Sequence, residues 1–164
     1  MQKAFENIKV LDLSSRLSGA WAARLFGDFG AEVILAEGHE GHIARQLSPK
    51  YKGKDSQESL VHQFVNWNKY SSSQDAKEIK ELIACADIVI TTDSTPQIDS
   101  SEIDAIHLSI TAHGLTGPWS NIPGNDLTHS ANSGWAMINK YENEEPLQLP
   151  TNQASFISGV AGFV

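Results

Sequence analysis

Two serines in the last segment of the sequence, Ser155 and Ser158, could act as nucleophiles. They lie in LPTNQASFISGVAGFV, residues 149–164, where Thr151 or Asn152 could cap a helix after the break at Pro150. A serine nucleophile needs an adjacent base and an oxyanion hole, and the segment has no G-x-S-x-G elbow to supply them. From the residues alone, a local hydrogen-bonding role is the better interpretation.

The segment SSRLSGA, residues 14–20, could bind an anion. The N-terminus of a helix offers free N–H groups to a negative charge, and Arg16 adds a positive one. Dinucleotide-binding turns carry G-x-G-x-x-G followed by an acid at the end of the second strand, and here Glu37 fits the acid but only Gly19 is present. NAD or FAD is therefore not predicted. Anion binding, and a packing role for Gly19 with a solvated Arg16, stay equally open.

The histidines and the cysteine indicate no metal site. His39 and His42 form HEGH, but the interleaved glycines leave no helix to align them, so solvated loop histidines are predicted. His113 and His129 flank a Gly- and Pro-rich segment and could reach a pocket. Cys85 is the single cysteine, which excludes a disulfide framework, and its apolar neighbours predict a core thiol.

Composition limits the classes of partner. The 164 residues are 40% apolar and 20% charged, as in ordinary globular domains. A net charge of −8, from 12 basic and 20 acidic residues, argues against binding to nucleic acid or to an anionic membrane. No segment has the length of a signal peptide or a membrane span, so a cytoplasmic protein is expected.

Alternating strands and helices must position these residues. Apolar runs predict strands at 8–13, 31–37, 87–92 and 105–112, with a further short strand considered near 63–67. Helical spacing predicts helices at 19–30, 73–86 and 125–139, and a last helix with Phe156, Val160 and Phe163 on one face. This order predicts an α/β fold, a Rossmann-like doubly wound and mostly parallel sheet with helices on both faces. Ligands would then bind at loops 14–18, 38–42, 68–71, 91–96 and 112–125.

Several segments together resemble the class III (CaiB/BaiF-type) CoA-transferases. IKVLDLSSRLSGAWAARLFGDFGAEVILAE is similar to the family's opening strand, turn, helix and strand, and NWNKYSSS is similar to its N-R-N-K-R-S segment. The match of GLTGPW…PGNDL…SG to the family's G-Q-T-G-P-Y…P-G-Y-D-L…S-G is the most specific. The resemblance runs from residue 8 to residue 164.

The resemblance implies that residues 1–164 form the N-terminal lobe of a larger architecture. Family members are more than twice this length and form dimers of interlocked chains. The expected partner is therefore a second copy of the chain or the remainder of a larger one. The expected substrate is coenzyme A or an acyl-CoA, with no metal.

The resemblance also implies a change in the chemistry. Family members use an aspartate in P-x-x-D-x-x-x-G, which attacks a thioester and gives a mixed anhydride and then an aspartyl-CoA thioester. Gly159 places Ser155 at the aspartate position, and a serine would form a stable ester instead. The histidine of racemase relatives corresponds to Asn125. Catalytic residues therefore stay unassigned, and loss of the central step is expected.

The resemblance implies CoA contacts at the residues that match the family's binding segments. Two of these segments differ from the family pattern, since Tyr70 replaces an arginine and TDST, residues 92–95, replaces N-F-R-P. The candidates are Ser15, Arg16, Leu17, Glu37, Lys69, Tyr70 and Thr92. Two hypotheses follow. The chain is an incomplete or degenerate lobe of a CoA-transferase, or it is a non-catalytic module that binds CoA or a partner.

Overall fold

A computed structural model describes residues 3–53, 57–73, 76–92, 101 and 103–164, and has a parallel sheet at its centre. The strands in chain order are β1 (Lys9–Asp12), β2 (Glu32–Glu37), β3 (Lys50–Lys52), β4 (Gln57–Ser59), β5 (Tyr70–Ser73), β6 (Ile88–Thr91) and β7 (Ile106–Ser109). The sheet has the order β5-β2-β1-β6-β7, and every neighbouring pair in it is parallel. Strands β3 and β4 form a separate antiparallel pair. The predicted α/β class is confirmed.

Helices cover both faces of this sheet. They are α1 (Leu17–Asp28), α2 (Leu60–Val65), α3 (Ala76–Cys85), α4 (Asp126–Asn132), α5 (Trp135–Ile138) and α6 (Gln153–Phe163), with a short 3₁₀ helix at Ile43–Gln46. Successive side chains of a strand point to opposite faces, so Val10 joins a core with Phe26 of α1, while Leu11 joins a core with Ile83 of α3. Among the described helices, none has the length and apolar character that a bilayer span requires.

Several local predictions were wrong. The strand considered near 63–67 is helix α2, because Ser59 caps a helix by accepting a hydrogen bond from the His62 N–H, and Val61 and Val65 pack inward one turn apart. The helix predicted over 125–139 divides into α4 and α5 at Gly134, which has a left-handed backbone (φ 74°). Cys85 is exposed, since it falls outside the stripe of α3 that packs on the sheet.

Helix α6 packs against α1 through a face that differs by one residue from the predicted one. Phe156 contacts the ring of Trp21 edge to face, and Phe163 contacts Phe26 in the same manner, so these two side chains lie as expected. Val160 is instead 43% exposed. The residue that faces α1 between the two phenylalanines is Gly159, which is buried against the Ser18 carbonyl oxygen and the Trp21 side chain.

Candidate functional site

A cleft of about 580 Å³ lies at the carboxyl ends of β1, β6 and β7. Its lining comes from the turn at Ser15–Ser18, from Thr92, from Ile110–Ala112 after β7, from residues 121–126 with His129, and from the first turn of α6. In doubly wound sheets ligands bind beyond the carboxyl ends of the strands, where the direction of winding reverses. Here that point lies between β1 and β6. Residues 93–96 of the loop expected at this edge lie outside the described residues.

The turn after β1 is fixed to its neighbours by hydrogen bonds. The Ser14 N–H donates to Asp12 Oδ1 (3.0 Å), and the Ser15 N–H donates to Thr92 Oγ1 (2.9 Å). Gly19 has a packing role, one of the two alternatives left open by the sequence, since a methyl group there would meet Ser14 and lie 2.6 Å from Thr92 Cγ2. The turn is therefore a preformed wall of the cleft.

Arg16 is the cation of this wall. It is the residue before α1, its side chain is exposed, and it makes no ion pair with any residue that the structure describes. Leu17 is buried and packs inward with Ala20 and Val65. Of the candidate CoA contacts, Ser15, Arg16, Leu17 and Thr92 thus lie together at the cleft.

The opposite wall brings Asp126 and Ser155 together. Asn125 caps α4 by exchanging hydrogen bonds with Thr128, which places Asp126 in the first turn. The Asp126 carboxylate accepts two hydrogen bonds from Ser155, from its N–H to Oδ1 (3.1 Å) and from its Oγ to Oδ2 (2.7 Å). Asn152 precedes α6 with a left-handed backbone and makes no side-chain capping bond, so Asp126 supplies the cap from another helix. Asn125, Asp126 and Ser155 all line the cleft.

Lys69 lies in the interior instead of the cleft. Its side chain is 2% exposed, and its ammonium donates to Asp12 Oδ2 (2.8 Å), the Ala20 carbonyl oxygen (2.8 Å) and Asn66 Oδ1 (2.7 Å). These three bonds use all the donors that an ammonium has, which leaves none for a CoA phosphate. Burial would raise the pKa of Asp12, but Lys69 and Ser14 outweigh it and hold that pKa below its ordinary value. The Asp12 carboxyl is therefore ionised at neutral pH, while burial lowers the pKa of the Lys69 ammonium against the attraction of Asp12.

The Glu37 carboxylate forms an ion pair with a neighbouring arginine. Arg45 donates to both of its carboxylate oxygens at 2.6 Å, and the His42 N–H and Ser71 Oγ also donate to it. The Arg45 hydrogen bonds lower the pKa of Glu37 from 4.5 to about 2, against the effect of burial. His42, predicted to be solvated, is buried beside this pair, since its Nδ1 accepts the Ala44 N–H and caps the 3₁₀ helix.

The Glu37–Arg45 pair predicts an acid-sensitive contribution to stability. A carboxyl group with a lowered pKa stabilises the folded state above pH 4.5, and this contribution is lost as the pH falls from 4.5 to about 2. Glu37→Gln should cost about 1–2 kcal/mol at pH 7, a value reduced by solvent screening because Arg45 is half-exposed. Urea unfolding of both proteins between pH 2 and pH 7 measures the difference.

The control for this experiment is Glu142→Gln, which removes an exposed carboxylate of the same type. It should unfold like the wild type across the range. A Glu37→Gln deficit that stayed constant down to pH 2 would contradict the proposed origin of the stabilisation.

Tyr70 lies at the amino ends of the strands, opposite the carboxyl ends where the cleft is found. It begins β5, is 68% exposed, and lines a shallow hollow with Lys9 and Glu32, which begin β1 and β2. The amino and carboxyl ends of parallel strands lie on opposite edges, so Tyr70 and the cleft are separated by the length of the strands.

Among the described residues, no group of three His, Cys, Asp or Glu side chains is placed to hold a metal.

Asp126 is the residue at the cleft that sequence reasoning missed. The available pattern was the acid after Asn125 in PGNDL, which is typical of the first turn of a helix. Its partner Ser155 is 29 residues away, and nothing in the spacing links the two. The contact exists because α4 and α6 meet at the same edge of the sheet.

Comparison with known proteins identifies relatives along the whole chain. The family model "CoA-transferase family III" matches residues 5–164. Human succinyl-CoA:glutarate CoA-transferase is 32% identical over 98% of this chain and 40% of its own length. Subunit BbsE of succinyl-CoA:(R)-benzylsuccinate CoA-transferase from Thauera aromatica is 27% identical over 94% of this chain and 42% of its own. A crystal structure of a CaiB/BaiF family protein from Brucella suis superposes with a TM-score of 0.92 at 23% identity, covering 99% of this chain and 48% of that one. The chain thus spans less than half the length of these relatives.

Proposed function

Because the chain belongs to CoA-transferase family III, we propose that it is the acyl-CoA-binding lobe of an enzyme that transfers CoA between an acyl-CoA and a carboxylic acid. The observation that carries this proposal is the cleft at the carboxyl edge of the sheet, with Arg16 on one wall and the Asp126–Ser155 pair on the other. A cleft of about 580 Å³ has the size of a ligand site.

The distribution of charge orients the ligand in this proposal. The chain has a net charge of −8, so a polyanionic CoA needs a local cation. Arg16 supplies it beside the free N–H groups at the start of α1. The thioester end of the ligand would then point to the other wall, where Asp126 and Ser155 lie.

A partner is part of the proposed assembly. Large apolar side chains are exposed on the segment that borders the cleft, namely Leu115, Trp119, Ile122 and Leu127. Exposed apolar area of this kind is typical of surfaces that another chain or domain covers. We propose that the remainder of a larger chain or a second copy of this one covers it.

A non-catalytic module that binds CoA or a partner is the second candidate. The observation that favours it is Ser155, which stands where the family's aspartate is expected. This candidate keeps the cleft and the charge of Arg16 but predicts no covalent chemistry, so the two functions differ in one measurable property.

Calorimetric titration with CoA and with succinyl-CoA tests binding at the cleft. We expect the wild-type chain to bind both ligands and Arg16→Gln to bind them roughly 10- to 150-fold more weakly, because a hydrogen bond to a charged group contributes about 1.5–3 kcal/mol. Lys140→Gln is the matched control, since it removes an exposed positive charge that is not part of the cleft.

The pair of variants separates specific binding from general electrostatics. An equal loss of affinity in Arg16→Gln and Lys140→Gln would mean that only the net charge matters. An absence of heat with millimolar ligand would contradict CoA binding altogether.

A further inference from the structure

We propose that Asp126 is the nucleophilic carboxylate of this cleft and that Ser155 positions it. This inference rests on the proposed function, because it assumes an acyl-CoA in the cleft. Its starting point is the 2.7 Å hydrogen bond from Ser155 Oγ to Asp126 Oδ2. The carboxylate that residue 155 lacks is thus present one hydrogen bond away, supplied by a different helix.

The geometry gives Asp126 what a nucleophile requires. Ser155 donates one hydrogen bond to each carboxylate oxygen, through its N–H and its hydroxyl, and so fixes the plane of the group. Each oxygen keeps a further lone pair, because a carboxylate offers about four acceptor sites. Asp126 lines the cleft and makes no ion pair with a described residue, so no cation competes for those lone pairs.

The chemistry favours Asp126 over Ser155 as the attacking group. A serine needs a base to remove its proton, and the partner of the Ser155 hydroxyl is a carboxylate, which is a weak base. Attack by a carboxylate oxygen needs no such base, because there is no proton to remove. An acyl group on Ser155 would be a stable ester, whereas an acyl group on Asp126 stays activated for return to CoA.

The proposed reaction passes through a mixed anhydride and then a CoA thioester on Asp126. An Asp126 oxygen attacks the thioester carbonyl carbon, a C–O bond forms, the C–S bond breaks, and the electron pair leaves on sulfur as CoA thiolate. The thiolate then attacks the Asp126 carbonyl carbon of the mixed anhydride. A C–S bond forms there, and the acyl group leaves as a carboxylate. A second carboxylic acid reverses the sequence and departs as the new acyl-CoA.

A purely structural role for Asp126 is the competing interpretation, since the same hydrogen bonds cap α6. The two roles differ in whether Asp126 becomes covalently modified. Incubation of the wild-type chain with succinyl-CoA in neutral hydroxylamine, followed by peptide mass spectrometry, measures this directly. An anhydride or thioester on Asp126 would be trapped there as a hydroxamate, while a serine ester would survive.

We expect the hydroxamate on Asp126 in the wild type, a slower appearance of it in Ser155→Ala, and its loss in Asp126→Asn. Asp87→Asn is the matched control, because Asp87 also accepts a backbone hydrogen bond, from Lys9, but lies outside the cleft. It should be modified like the wild type. Because the first result needs no variant, misfolding of Asp126→Asn would not undo the test.

Three outcomes would overturn the inference. A stable acyl group on Ser155 would make the serine the nucleophile. Calorimetric binding of succinyl-CoA without any adduct would overturn the inference and leave CoA binding intact, as the non-catalytic module requires. Absence of both binding and adduct would overturn the inference and the proposed function together.

Discussion

Lys69→Met should lower the free energy of unfolding by about 3–5 kcal/mol, the range for removal of one partner from a buried ion pair. The substitution leaves the Asp12 carboxylate fully buried, with its charge no longer balanced by the ammonium 2.8 Å away. The Ala20 carbonyl oxygen and Asn66 Oδ1 also lose their donor. Urea unfolding at pH 7 measures the loss.

Lys77→Met is the matched control for this prediction. Lys77 also pairs with an acid, Glu81, but at 4.0 Å and with a side chain that is 87% exposed. Exposed pairs contribute about 0–1 kcal/mol, so this variant should remain close to the wild type. In the double variant Asp12→Asn/Lys69→Met, the buried charge is absent, and part of the lost stability should return. Equal effects of Lys69→Met and Lys77→Met would contradict the burial argument.

The buried pair also connects stability with the cleft. Asp12 binds Lys69 through Oδ2 and the Ser14 N–H through Oδ1, so the same carboxylate holds the turn that carries Arg16. Lys69→Met is therefore expected to weaken CoA binding as well, although Lys69 does not reach the cleft. Lys69 is then a positioning residue, because its substitution weakens CoA binding although its side chain does not contact the ligand.

The central strands β2, β1 and β6 were predictable because they are apolar runs, whereas β5, with the sequence YSSS, was not predicted. Strands β1, β2 and β6 are buried, and such strands in a parallel sheet carry few polar interruptions. The region near 63–67 gave no such run, and its structure as α2 depends on a cap at Ser59 and on packing under α1. Local sequence patterns determine the buried strands, whereas tertiary contacts determine helix α2.

The predicted topology gave the position of the cleft but not the partner that each side chain binds. The loops after β1 and β7 were expected at the carboxyl edge, and both line the cleft. Lys69 and Glu37 were predicted, with residues of these loops, as candidate CoA contacts. Each instead binds a partner from a distant part of the chain, Asp12 or Arg45. The Asp126–Ser155 contact was hidden for the same reason, since spacing along a sequence carries no information about which helices meet.

Gly159→Ala should destabilise the protein by about 2 kcal/mol, a typical cost of an extra methyl group in a tightly packed contact. The added Cβ would lie 2.6 Å from the Ser18 carbonyl oxygen and 2.9 Å from Trp21 Cδ1. The backbone oxygen cannot move aside, so α6 must shift away from α1. Ser155 would move with it, and we expect slower trapping of the Asp126 adduct in this variant.

Gly162→Ala separates this packing effect from helix propensity. Both glycines lie in α6 and both substitutions gain up to about 1 kcal/mol from the better helix former. At residue 162 the new Cβ would meet Ile110 Cδ1 at 2.8 Å, the end of a flexible side chain that can rotate. Thermal and urea unfolding should therefore place Gly162→Ala within about 1 kcal/mol of the wild type, well above Gly159→Ala. If the two variants were equally stable, α6 would not depend on close contact with α1, and the position of Ser155 beside Asp126 would need another explanation.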